Sequence, residues 1–129
     1  MKTITVTTFK AEATFGLEKG YSKELISLNE FKTALSKAQQ KIYKDHNIVL
    51  STKMILCEIV CLGQEEPSVT LEWIQYPKFI VPIQELKMVI VKLVKDLMLE
   101  LQQNRVVILF PEETICLEQE DKINPAIKL

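Results

Sequence analysis

The chain has 129 residues, 47% hydrophobic and 26% charged, with 16 basic against 17 acidic side chains and only three glycines. That length and apolar fraction suit one soluble domain. A net charge of -1 offers no footprint for a polyanion or an anionic membrane surface, and three glycines leave no phosphate-cradling loop.

Further classes fall away on particular residues. Arg105 is the sole arginine, whereas phosphate and guanine readers lean on arginine forks, so nucleic acid is not an expected partner. Met1 to Lys10 lacks the basic start and apolar run of a secretory signal. Ile83 to Leu101 is the most apolar stretch, but Gln84, Glu85, Lys87, Lys92, Lys95, Asp96 and Glu100 interrupt it, too many for a membrane span. Three cysteines as free thiols fit a reducing compartment. The expectation is a cytoplasmic protein with no membrane partner.

Thr3 to Phe15 reads as a first strand, rich in Thr, Val and Phe. Its apolar residues change parity near Thr7 and Thr8, which predicts a bulge or a change of covered face. Gly16 to Ile26 is a polar loop. Ser27-Leu-Asn-Glu30 matches a capping box, and behind it Leu28, Phe31, Leu35, Ala38 and Ile42 recur at helical steps to about Asn47. Lys41, Lys44 and His46 fall where the helix dipole favours positive charge.

Met54 to Leu62 reads as a second strand, Gly63 to Pro67 as a turn and Ser68 to Tyr76 as a third strand, together a hairpin. Pro82 opens a second helix whose inner stripe is Ile83, Leu86, Ile90, Leu93, Leu97 and Leu101. Arg105 to Phe110 is a short apolar strand, which Thr114 to Leu117 continues after Pro111. Residues 1–118 form one α+β domain and 119–129 a polar tail. The halves resemble each other: Ser27-Leu-Asn-Glu-Phe-Lys lines up with Pro82-Ile-Gln-Glu-Leu-Lys, and Cys57 with Cys116.

Two βαβ halves with right-handed crossovers predict a ferredoxin-like βαββαβ sandwich, a four-stranded sheet with both helices on one face. The other face should alternate polar, yet Met54 to Leu62 carries one charge and Val106 to Phe110 none. With Ile55, Cys57, Ile59 and Cys61 towards the helices, Met54, Leu56, Val60 and Leu62 face outwards around Glu58. Large apolar patches are uncommon on monomers, so this set predicts a homo-oligomer interface.

The chemistry-bearing residues form no recognised motif. Cys57, Cys61, Cys116 and His46 do not make a zinc set, because Cys57 and Cys61 lie about 13 Å apart along a strand; buried core thiols are expected instead, with no metal and no cofactor. His46 is the one group that titrates near neutrality unperturbed, and its place suggests a helix end. Glu58 interrupts an apolar strand, and Glu72 in the partner strand would share its face as an acid/base pair. The plainer alternative gives Glu58 a lysine partner such as Lys10 or Lys53, or a subunit boundary. Tyr21, Trp73, Tyr76 and Phe79 are candidates for a ligand pocket, with core packing the plainer role for Trp73.

The duplicated βαβ pattern over Thr3 to Leu117 resembles the tautomerase superfamily and the broad class of ferredoxin-like dimeric modules. That resemblance implies an oligomer covering the sheet and, for tautomerases, an amino-terminal proline base. Lys2 stands where the proline would be, so no catalytic residue carries over. The leading expectation is a non-catalytic module that self-associates through its sheet and binds a small ligand or protein partner. The rival is a small oligomeric isomerase- or hydrolase-like enzyme using Glu58, Glu72 or His46 in an interface cleft. A third is an accessory protein covered by its partner.

Overall fold

The computed structural model describes all residues from Met1 to Leu129. The elements run β1 (Lys10–Gly16), α1 (Leu28–His46), β2 (Lys53–Cys61), β3 (Gln64–Ile74), α2 (Ile83–Glu100), β4 (Arg105–Leu109) and β5 (Thr114–Glu118). The strands form one antiparallel sheet in the order β2-β3-β1-β4-β5. This α+β arrangement fits a ferredoxin-like type of fold, with five strands where the pattern predicted four. The difference lies at Pro111 to Glu113. Phe110 N–H donates to the Glu113 carbonyl at 2.8 Å, closing a turn, and Thr114 to Glu118 returns beside β4 instead of extending it. Proline favours such a reversal by fixing its own φ. No helix is long and apolar enough to cross a membrane.

Local signals placed both helices. Ser27 Oγ accepts from Glu30 N–H at 3.0 Å, while the Glu30 carboxylate pairs with Lys19 at 3.2 Å. Asn47 ends α1 in a left-handed conformation, φ 55°, with its N–H donating to the Tyr43 carbonyl. Phe31, Ala34, Leu35, Ala38 and Ile42 of α1 are buried, as are Leu86, Val89, Ile90, Leu93, Val94, Leu97 and Met98 of α2. Pro82 stands one position earlier than expected, as the cap rather than the first helical residue.

Alternation along the strands decides which side the helices cover. Ala11, Ala13 and Phe15 of β1, Val69, Leu71 and Trp73 of β3, and Val106 and Ile108 of β4 are buried against them. The opposite, open side carries Lys10, Glu12 and Thr14 of β1 and Thr70, Glu72 and Ile74 of β3. The centre of that side is therefore polar, as a half-solvated sheet should be; Thr14 Oγ1 and Thr70 Oγ1 share a hydrogen bond of 2.7 Å across it.

The second strand is where the expected facing reverses. Leu56 pairs with Val69 and Met54 with Leu71, so these two share the helix side, whereas Ile55, Cys57, Ile59 and Cys61 lie on the open side. The reason is register. A run apolar on both parities gives no clue to which parity faces in, and the pairing with β3 settles it. Met54 packs against the core. Leu56, Val60 and Leu62 are exposed all the same, at 61%, 66% and 65%, because the hairpin projects beyond the helices. Its turn is tighter than expected: Leu62 and Gly63 alone reverse the chain, at φ 49° and 84°, the two left-handed residues of a type I′ hairpin.

The remaining difference is at the amino terminus. The ladder begins at Lys10 rather than Thr3, beyond the change of parity at Thr7 and Thr8.

Candidate active site

Of the residues expected to carry chemistry, three come together. Glu72, Tyr76 and Phe79 line one cavity of about 400 Å³ at the Ile74 end of β3, where Lys10, Lys53, Ile74, Val81 and Leu86 also contribute. Pockets that hold small organic ligands span about 300–1,000 Å³ and combine apolar walls with a few converging polar groups. Glu72 is the only carboxylate in this one. Its side chain is 13% exposed and receives Lys10 Nζ at 3.2 Å on one oxygen and Lys53 Nζ at 3.9 Å on the other. The lysine partners foreseen for Glu58 thus belong to Glu72.

The aromatic wall is built by the loop between β3 and α2. Tyr76 and Phe79 stack with centroids 6.0 Å apart and planes 18° from parallel, and both remain about half exposed. Gln75, buried beneath them, holds that loop with both ends of its amide. Its Nε2 donates to the Val81 carbonyl at 2.6 Å and its Oε1 accepts from Val81 N–H at 3.0 Å. A side-chain amide fixed at both ends leaves the ring pair in place before any ligand arrives.

The other candidates are dispersed. Glu58 sits opposite Pro67 on the helix-side parity of the projecting hairpin, and Lys53 is opposite Glu72. Glu58 and Glu72 are therefore on opposite faces, five residues out of register, and do not form a pair. His46 ends α1 with Nε2 3.4 Å from Lys92 Nζ and does not line the cavity. Trp73 is a core residue at 1% exposure whose Nε1 donates to Thr52 Oγ1 at 2.9 Å. Tyr21 donates to the Lys122 carbonyl and accepts from Asn104, which ties the carboxy-terminal segment down and keeps Tyr21 away from Tyr76. The cysteines are not core thiols: Cys57 is half-buried, and Cys61 and Cys116 are exposed. Cys116 lies on β5, across the sheet from Cys57 on β2. No three His, Cys, Asp or Glu side chains are placed to hold a metal ion.

Glu66, six residues before Glu72 on the same face, escaped the sequence reading. Its carboxyl fills the space over Gly16, where an added methyl group would overlap it. Burial raises its pKa above the ordinary 4.5, the nearby Glu18 adds to that rise and Lys23 opposes it. The available signal was Gly16 itself, a glycine ending a strand where a close approach needs the missing Cβ.

No protein-family model matches the chain, and no curated protein matches it in sequence. Solved structures do match. A phage SAM lyase in the apo state superposes with a TM-score of 0.68 and 18% identity, over 89% of this chain and 92% of that one. A phage SAM lyase in complex with S-methyl-5′-thioadenosine superposes with a TM-score of 0.65 and 16% identity, over 95% and 98%. At such identities the likeness establishes a shared fold. It also corrects the leading expectation: both structures that share this fold along nearly its whole length are of an enzyme. The finding supports the rival reading, a small enzyme, over a non-catalytic module.

Proposed function

We propose that the protein is a lyase acting on S-adenosylmethionine and releasing S-methyl-5′-thioadenosine, with the Glu72–Tyr76 cavity as its substrate site. The observation that carries this is the stacked Tyr76–Phe79 wall beside a single half-buried carboxylate, in a chain with the fold of a phage SAM lyase. A flat purine suits the exposed ring pair, since offset aromatic stacking is worth about 0.5–1.5 kcal/mol beyond the area it buries.

The reaction consumes charge. When the bond between sulfur and the amino-acid chain breaks, its electron pair stays on sulfur, and the sulfonium cation becomes a neutral thioether. The leaving group needs no proton, so the site's first task is to remove the cation from water, where hydration favours the charged reactant. Val49, Leu50, Ile74, Val81 and Leu86 supply apolar lining for that. As an elimination, the cleavage takes a proton from the carbon next to the breaking C–S bond while the C–H electron pair becomes the new C=C bond, and Glu72 is the one carboxylate lining the cavity to receive that proton.

The test is direct. Purified protein incubated with S-adenosylmethionine should yield S-methyl-5′-thioadenosine, identified by chromatography and mass spectrometry. Absence of turnover by a folded protein would overturn the assignment.

The same proposal includes a second copy of the chain. Ile55, Leu56, Ile59, Val60 and Leu62 leave both sides of the projecting hairpin apolar and exposed, on an edge strand with neither proline nor mid-strand lysine to blunt it. Light scattering coupled to size exclusion should give the mass of an oligomer, reduced by the pair Leu56→Glu and Val60→Glu. A monomer of unmutated protein at tens of micromolar would refute it.

A further inference from the structure

Along one edge of the cavity the charges alternate in a way the proposed cleavage does not need. Glu72 faces Lys53 on β2 and Glu12 on β1, in one row across three strands; Lys10, Lys53 and Glu72 line the cavity, and Glu12 stands beside Glu72 just outside that lining. Lys10, two residues before Glu12, reaches back to Glu72 at 3.2 Å. The set holds two cations and two carboxylates and is neutral overall. It is unevenly satisfied: both lysines converge on Glu72, while none of the ion pairs includes Glu12. Two carboxylates directly opposite on one sheet face repel, and a cation seated between them relieves that repulsion. The lysines, at 57% and 71% exposure, keep donors free for an incoming anion.

Cations and anions held side by side at the end of an aromatic-walled cavity match a ligand with a flat ring at one end and both an ammonium and a carboxylate at the other. The geometry points to Lys10, Lys53, Glu12 and Glu72 as a receptor for the α-amino acid head of the ligand, its carboxylate on the lysines and its ammonium on Glu12 and Glu72. This inference rests on the proposed substrate and narrows it: the site takes adenosyl sulfoniums and thioethers that keep the intact zwitterion, and holds the cleaved nucleoside weakly. Weak retention follows because the released thioether has lost every group the four residues engage, and Tyr76 and Phe79 alone remain to hold it.

Calorimetric titration of the full chain tests this without turnover. The probes are S-adenosylhomocysteine, which carries the head, and S-methyl-5′-thioadenosine, which lacks it. The first should bind at least ~10-fold more tightly, the worth of one charge-assisted contact. Lys53→Ala and Glu12→Gln should each remove most of that difference and leave the affinity for S-methyl-5′-thioadenosine unchanged. Equal affinities in the unmutated protein, or variants that weaken both ligands alike, would overturn the inference while leaving the lyase reading intact. If neither probe binds and S-adenosylmethionine is not consumed, both fail.

Discussion

Glu66 and Glu72 lie on the same strand and the same face, about 20 Å apart at 3.4 Å per residue, and their surroundings treat negative charge in opposite ways. Glu72 has a side chain only 13% exposed, and two lysines compensate it. Glu66 takes part in no ion pair; it is pressed over Gly16 with Glu18 nearby, and its proton is held more tightly than in water. Enclosing a carboxylate costs least where opposite charge is paired directly with it. The neutralised carboxylate stands beside an aromatic cavity, whereas the uncompensated one stands at the base of a projecting hairpin.

The largest effect that would break this contrast is catalytic. Glu72→Gln should lower kcat/KM for S-adenosylmethionine by about 10²–10⁴, the usual contribution of a positioned acid or base, with the melting curve little changed. Glu66→Gln under the same assay should leave most of the activity. If the two variants exchanged roles, the site would be at the hairpin end.

Next in size is the aromatic wall. Phe79→Ala should raise KM by about 3- to 10-fold, the equivalent of one lost stacking contact, with kcat nearly constant; a fall in kcat alone would place Phe79 outside substrate binding. Gln75→Ala should raise KM similarly through the freed loop, although Gln75 itself is buried.

The smallest effect concerns pH. Because the folded-state pKa of Glu66 is raised, the fold binds its proton more strongly than the unfolded chain does. That stabilisation is fully present below pH 4.5 and is lost as pH rises through the folded value. Glu66→Gln should therefore flatten thermal stability across that window and melt slightly higher than the unmutated protein at pH 7. Gly16→Ala should act the same way by displacing the carboxyl into water. A variant Gly16→Ala that retained the full pH dependence would show that desolvation over Gly16 is not the cause.

The sequence was most legible where a signal is local. The Ser27 cap, the helical stripes and the Pro82 start each depend on residues within a turn of one another, and they place α1 and α2 within a residue or two. The hairpin was legible as an element, but its facing was not, because Met54 to Leu62 is apolar on both parities and only the pairing of Leu56 with Val69 breaks the tie. Glu72 and Tyr76 stood among the candidates as separate residues. Their meeting depends on the loop that Gln75 clamps six residues ahead, a contact with no periodic signature. Glu66 was hidden for a similar reason: its environment is made by a glycine fifty residues earlier in the chain.

The most direct measurement is a crystal structure of the protein with S-methyl-5′-thioadenosine bound. The account predicts the purine against the Tyr76 and Phe79 rings, with the thioether sulfur directed towards Glu72. A nucleoside bound at Glu66 over Gly16, or anywhere that leaves those two rings bare, would contradict it.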